Sequence, residues 1–165
     1  MSFSMALGIG VLGCAAIAAV TFLAGRPRRM SHRVCAALGW LWVAGVVGLT
    51  FGTRSGGGRA VNVELLDVSN PADVRDFLLN ILMFVPGGLL SASAGLRFAA
   101  AAACGFLGSL AIEVTQYLTS SGRTADVNDL LANSLGCVAG YACAVAVRAV
   151  FRRAVTETGG PSGRA

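Results

Sequence analysis

Apolar residues along this chain come in blocks rather than stripes. Five runs are almost wholly apolar: Phe3 to Ala24, Val34 to Gly52, Phe77 to Gly95, Phe98 to Leu118, and Asn128 to Val150. A surface helix of a soluble domain would show polar residues returning every third or fourth position. The first two runs instead contain no charged residue at all. A helix needs about 20 such residues to cross the hydrocarbon core of a bilayer, since each residue rises only ~1.5 Å. The pattern predicts an all-α fold, a polytopic transmembrane helical bundle of about five spans.

The last three runs differ from the first two because each carries polar residues near one end. Span three opens with DFLLN, which puts Asp76 and Asn80 on one face, and then reads FVPGG. Pro86, followed by Gly87 and Gly88, should kink that helix or open its packing. Span four ends in SLAIEVTQ, where Ser109, Glu113 and Gln116 share a face. Before and within span five, Asp126, Asp129, Asn133, Gly136 and Gly140 step by three or four, a single stripe. Arg123 stands in the loop ahead of it. Three helices therefore bring polar residues to the same depth, at the ends of spans three to five.

Composition supports a membrane setting: 55% of residues are apolar and 13% charged, and mean hydropathy is +0.71. Soluble domains carry about 25% charged residues. The formal net charge of +5 would suit a nucleic-acid binder, but the thirteen basic residues are all arginine and flank the spans without forming a basic domain. No nucleic-acid partner is expected; the partner is the lipid bilayer. Nine arginines (Arg26, Arg28, Arg29, Arg33, Arg97, Arg148, Arg152, Arg153, Arg164) fall on one side of a five-span arrangement and four (Arg54, Arg59, Arg75, Arg123) on the other. The positive-inside rule then places the amino terminus outside and the carboxyl terminus in the cytoplasm, with the polar ends of spans three to five in the outer leaflet. The first span is not expected to be a signal peptide: no basic residue precedes it, and it is too long. The five cysteines lie in or beside apolar runs with no CxxC pair, and read as small packing residues.

Between spans two and three lies the longest loop, in which SGGG reads as flexible and VNVELLDV (61 to 68) as a short strand or an interfacial segment. SNPADVRD reads as a helix start, capped by Asn70 or Ser69 ahead of Pro71. GLTFG and GCVAG fit the small-xxx-small pattern of close helix packing. Residues 155–165, Gly-, Thr- and Pro-rich with no apolar face, read as a disordered cytoplasmic tail.

A charge at mid-bilayer costs roughly 3 kcal/mol on insertion scales. Glu113 and Asn133, placed within apolar runs, should therefore face the bundle interior. Two readings of the polar set stand side by side. Asn80, Ser109, Gln116 and Asn133 serve equally well as interhelical hydrogen-bonding groups, and Asp126 or Asp129 as a cap for span five. Glu113 with Asp76, Asp129 and Arg123 reads better as a functional site, because a buried ion pair is an expensive way to hold helices together.

DFLLNILMFVPGG (76 to 88), SLAIEVTQ (109 to 116) and GRTADVNDLLANSLGCVAGY (122 to 141) resemble, in order and spacing, the VanZ-like family of small bacterial membrane proteins. The residues on that family's motif positions are Asp76, Asn80, Pro86, Gly88, Glu113, Gln116, Arg123, Asp126, Asp129, Asn133 and Gly136. The resemblance implies a single VanZ-like domain over residues 1–154, with its motif-bearing part at 70–150, in the cell membrane of a bacterial envelope. It also implies a link to low-level resistance to teicoplanin, a lipoglycopeptide that binds cell-wall precursors outside the membrane. The expected function is binding or modulation of a surface ligand at the outward polar pocket: a cell-wall precursor, a lipid head group or a lipoglycopeptide.

Two alternatives belong to other classes. One is a membrane enzyme acting on a lipid-linked substrate, with the acidic residues as acid/base or as ligands of Mg²⁺ or Ca²⁺, which oxygen donors suit. No cofactor is otherwise evident, and the only histidine, His32, lies in the arginine loop. The other is a small proton-coupled transporter, disfavoured because the polarity of spans three to five fades along the helix and spans one and two are nearly free of it.

Overall fold

The computed structural model describes residues 3–25, 30–52, 61–119 and 125–158. They form five long helices: α1 (Phe3–Leu23), α2 (Met30–Gly52), α3 (Pro71–Ser93), α4 (Phe98–Thr119) and α5 (Val127–Thr158). All five are long and apolar enough to cross a membrane. Large apolar side chains on every helix face outward, among them Leu12, Leu38, Leu82, Leu107 and Val150. That surface is the reverse of a soluble protein's and fits a lipid surround. The chain is a multi-pass membrane helical bundle.

Helix boundaries follow local chemistry. Asn70 caps α3, its side chain accepting from the Ala72 amide at 3.0 Å, with Pro71 in the first turn where its missing N–H is harmless. Just upstream, the Asp67 carboxylate accepts from the amide and the hydroxyl of Ser69, which holds its pKa below the usual value. At its other end α3 closes in a Schellman turn: Gly95 N–H donates to Ala92 O and Leu96 N–H to Ser91 O. Gly95 sits at φ +84°, where a side chain would be strained. Arg148 on α5 reaches this end and donates to the Ala92 carbonyl at 2.8 Å, a cation on the negative end of the helix dipole. Tyr141 donates to Leu96 O at 2.9 Å.

The helix α3 continues through Pro86 without interruption. Proline offers no N–H to the Leu82 carbonyl, and the adjacent carbonyl, Met83 O, receives the indole N–H of Trp42 at 2.8 Å. The Trp42 ring lies against Gly87 and meets Phe84 edge-on at 5.6 Å. Trp40, two residues earlier, turns to the other neighbour and donates to Ile9 O on α1 at 3.3 Å. The two tryptophans thus fasten α2 on both sides. An open groove of about 330 Å³ between α2 and α3 is lined by His32, Cys35, Gly39, Trp42, Gly87 and Leu96.

The most extensive helix contact joins α3 and α5, which run parallel; α4 packs antiparallel on α5, and α1 leans chiefly on α2. The segment 61–68 supplies a strand of two residues, β1 (Val61–Asn62), which pairs in parallel with β2 (Ala125–Asp126) just ahead of α5. That partner was not visible in the sequence pattern. Helix α5 runs through residues 155–158, the first part of the expected tail, while 159–165 lie outside the described residues, as do the SGGG loop and Arg123.

Candidate functional site

The α5 stripe that looks single in sequence divides between two neighbours. Asp129, Gly136 and Gly140 face α3: Asn80 donates to Asp129, and a Cβ at either glycine would overlap a backbone carbonyl, of Ile81 or Val85 respectively. Gly88 on α3 meets α5 in the same manner, at the Cys137 carbonyl. Asp126, Asn133 and Cys137 lie roughly 60° around the helix, at 100° per residue, and face α4. There the Glu113 carboxylate accepts the Asp126 backbone N–H at 2.9 Å. The Asn133 amide donates to the Ser109 hydroxyl at 2.9 Å, and the Cys137 thiol contacts the Ala101 carbonyl at 3.4 Å.

The seam between α4 and α5 is buried. Ser109 is 0% exposed, Gln116 2%, Asn133 2% and Glu113 7%. Helix spacing produces this: Ala101, Gly105, Ser109, Glu113 and Gln116 recur every three or four residues, and all are buried on the face toward α5. The seam is not fully satisfied. Gln116 Oε1 and Asn133 Oδ1 are buried and have no hydrogen-bond partner among the described residues.

Asp126 occupies the junction of loop, α4 and α5. One carboxylate oxygen accepts from the backbone and side-chain nitrogens of Asn128 at 2.8 and 2.9 Å, and the other from Asn62 at 2.9 Å. The Asn128 amide bond is that of an N-cap for α5, so of the two aspartates weighed for that role it is Asp126 that occupies it. Asn128 extends the network, donating to Glu64 O and accepting from the Leu66 N–H. Asn62 and Asn128 carried no weight in the sequence reading. Asn128 lies inside a quoted motif, but nothing local marks Asn62 as the partner of Asp126, 64 positions away.

Asp76 stands apart from this group. Its side chain is 62% exposed and pairs with the adjacent Arg75 at 2.9 Å, an exposed ion pair of little energetic consequence. Asn80, one turn on, points to Asp129. The expected quartet of Glu113, Asp76, Arg123 and Asp129 is therefore not assembled as such: Asp76 is outside it and Arg123 is not among the described residues. Pro86 is exposed, away from the polar seam. No group of three or more His, Cys, Asp or Glu side chains converges on a common point among the described residues. Asp126 in particular has both carboxylate oxygens engaged by nitrogen donors.

Comparison with known proteins places the chain. The VanZ/LLP1 family model matches residues 34–150, which covers α2 from its second turn through most of α5 and leaves out α1. The chain belongs to that family. No curated protein and no solved structure matches it.

Proposed function

We propose that this member of the VanZ/LLP1 family engages a ligand at the bacterial cell surface through the α4–α5 polar seam, and thereby modulates the envelope's response to glycopeptides of the teicoplanin type. The observation that carries the reading is the nearly buried Glu113 carboxylate, held beside buried amides whose oxygens have no hydrogen-bond partner among the described residues. Helix cohesion alone gains nothing from a titratable group, since an amide of the same shape hydrogen-bonds without the cost of burying charge. The arginine distribution supports the orientation this needs: nine arginines flank the end where α3 meets α4, against four at the seam's end. A reporter fused after Arg153 should read as cytoplasmic; an external signal reverses the orientation and removes the site from the surface.

The functional test is complementation. A strain lacking the gene is expected to change its sensitivity to teicoplanin-type glycopeptides among a panel of envelope-targeting antibiotics, and the wild-type chain to restore it. Glu113→Gln should fail to restore it, at wild-type membrane abundance and melting temperature. Full complementation by Glu113→Gln returns the carboxylate to a structural role.

A further inference from the structure

The open groove between α2 and α3 has a closed end and a mouth. Trp42, lying on Gly87 and donating to Met83 O, closes it deep in the bundle. From there the groove, about 330 Å³, runs past Gly39 and Leu90 to His32 and Leu96. Its walls include small residues: a Cβ on Gly39 would meet nothing within 4 Å. The α2 wall from His32 to Val43 covers eleven helical steps, ~16 Å. That is close to half of the ~30 Å hydrocarbon core. The groove spans one leaflet.

The mouth opens where the chain's positive charge collects. Leu96 is followed by the exposed Arg97, and His32 by Arg33. Arg26, Arg28 and Arg29 precede His32 by three to six positions. Of the eight acidic side chains only Glu157 falls at this end, against nine arginines, and the other seven lie toward the opposite end. The walls are mostly apolar, so water inside would find few partners, and an empty groove would forfeit dispersion contacts. Spread over ~16 Å, its 330–680 Å³ gives a cross-section on the order of 20–40 Å². A helix ~10 Å across needs ~80 Å², so the groove admits a chain but not a helix. Its occupant combines an apolar chain one leaflet long with a negatively charged head.

We infer that the groove holds an acyl chain of an anionic phospholipid, with the phosphodiester at the arginine-rich mouth and the chain directed toward Trp42. Guanidinium groups match phosphate oxygens in charge and in geometry, and each basic residue near a membrane surface favours an anionic headgroup. A zwitterionic lipid offers the same chain but brings a cation into the arginine cluster. The site lies at the opposite end of the bundle from the α4–α5 seam, and does not depend on the reading of that seam.

The test uses the tryptophan at the end of the groove. Trp40→Phe leaves Trp42 as the only tryptophan of the full chain. In phosphatidylcholine nanodiscs, a small fraction of phosphatidylglycerol with brominated chains should quench Trp42 about fivefold more than the same fraction of brominated phosphatidylcholine. That is the preference one surface arginine confers. Arg97→Gln should reduce it. Gly39→Leu, which fills the groove from a position with open space around it, should abolish it at unchanged Tm and membrane abundance. If Trp40→Phe does not fold, Tm of the wild-type chain in detergent, titrated with each unbrominated lipid, gives the same contrast. Equal quenching by the two lipids overturns the inference, because charge then selects nothing. Quenching by neither overturns it as well, because no chain enters. A preference that survives Gly39→Leu places the anionic lipid elsewhere on the arginine-rich end. A dimer in detergent that Gly39→Leu converts to monomer gives the groove to a second copy of the chain. Both of these results also overturn it.

Discussion

Helix α5 presents two adjacent faces that solve the same packing problem by opposite means. Toward α3, Gly136 and Gly140 let backbone meet backbone, and Gly88 returns the contact from the other side. Toward α4, the helices meet through side chains: Asn133 on Ser109, Cys137 on Ala101 and Gly105, Glu113 on the Asp126 amide. In lipid the hydrophobic effect does not draw helices together, so association rests on close van der Waals packing and on interhelical hydrogen bonds. The α3 face relies chiefly on the first, with hydrogen bonds toward its ends from Asn80 to Asp129 and from Arg148 to Ala92 O, and the α4 face relies on the second. The difference teaches where tolerance lies. A backbone carbonyl cannot move aside for a new methyl group, whereas a side chain can turn, and only the side-chain face has atoms to spare for chemistry.

The largest effect should follow from breaking the glycine face. Gly136→Leu drives a branched side chain into the Ile81 carbonyl, and overpacking of this kind costs about 3 kcal/mol or more. The expected outcome is a sharp fall in folded protein, read from detergent-solubilised yield and thermal melting. Gly105→Ala is the matching probe of the other face. Its Cβ would stand 2.7 Å from the Cys137 Cβ and 2.8 Å from its sulfur, a smaller overlap than the 2.2 Å from the Ile81 carbonyl at Gly136, and one that turning the sulfur relieves in part. It should be clearly milder. Gly108→Ala, with nothing within 4 Å, should be close to neutral. Equal losses at Gly136 and Gly105 would erase the distinction between the faces.

A middle-sized effect belongs to Asp126, where the polar face ends. Asp126→Ala removes the N-cap bond to Asn128 and the bond from Asn62, while the backbone N–H that serves Glu113 remains. A lost cap costs about 1 kcal/mol, with a range of 0.5–2. Melting should shift by that amount, and amide exchange should quicken at Val61–Asn62 and in the first turn of α5 while the α3–α5 contact keeps its protection. A uniform loss of protection would mean that the junction holds the entire bundle.

Much of this arrangement is legible in the sequence. Five apolar runs gave five helices because length and apolarity are dictated by the bilayer, a constraint every residue of a span reports. Asn70 ahead of Pro71 announced a helix start because capping is local. The division of the α5 stripe was not legible. Asp129 and Asn133 differ by only ~40° around the helix, and which neighbour each meets depends on where α3 and α4 lie. Asp76 and Asn80 sit on one face by spacing, yet one turns to Arg75 and the other to Asp129. Rotamer choice under competition between partners has no signature in periodicity. The parallel pairing of β1 with β2 was hidden for a related reason: its two strands of two residues each are too short to pattern, and they are brought together only by the helices between them.

The smallest effect is also the most discriminating, and it is that of replacing both members of the Ser109–Asn133 pair. Ser109→Ala leaves the Asn133 amide stranded at full burial and should cost about 1–3 kcal/mol, because a buried donor loses its one described partner. Asn133→Leu removes that donor and, with it, the unpaired Oδ1, leaving a hydroxyl that can turn to a backbone carbonyl of its own helix, as Thr115 does to Ala111 and Ser134 to Leu130. Its cost should be smaller. The double variant, apolar on both sides, should melt within about 0.5 kcal/mol of wild type or above it, since replacing both partners of a buried hydrogen bond with apolar groups is close to neutral. A coupling of ~1 kcal/mol in that cycle measures what the bond contributes to cohesion. Should the double variant melt like wild type and still fail in complementation, the polar face of α5 is retained for its ligand, and the glycine face alone holds the helices. Should it melt well below wild type, hydrogen bonding is part of what assembles the bundle, and the two faces share that task.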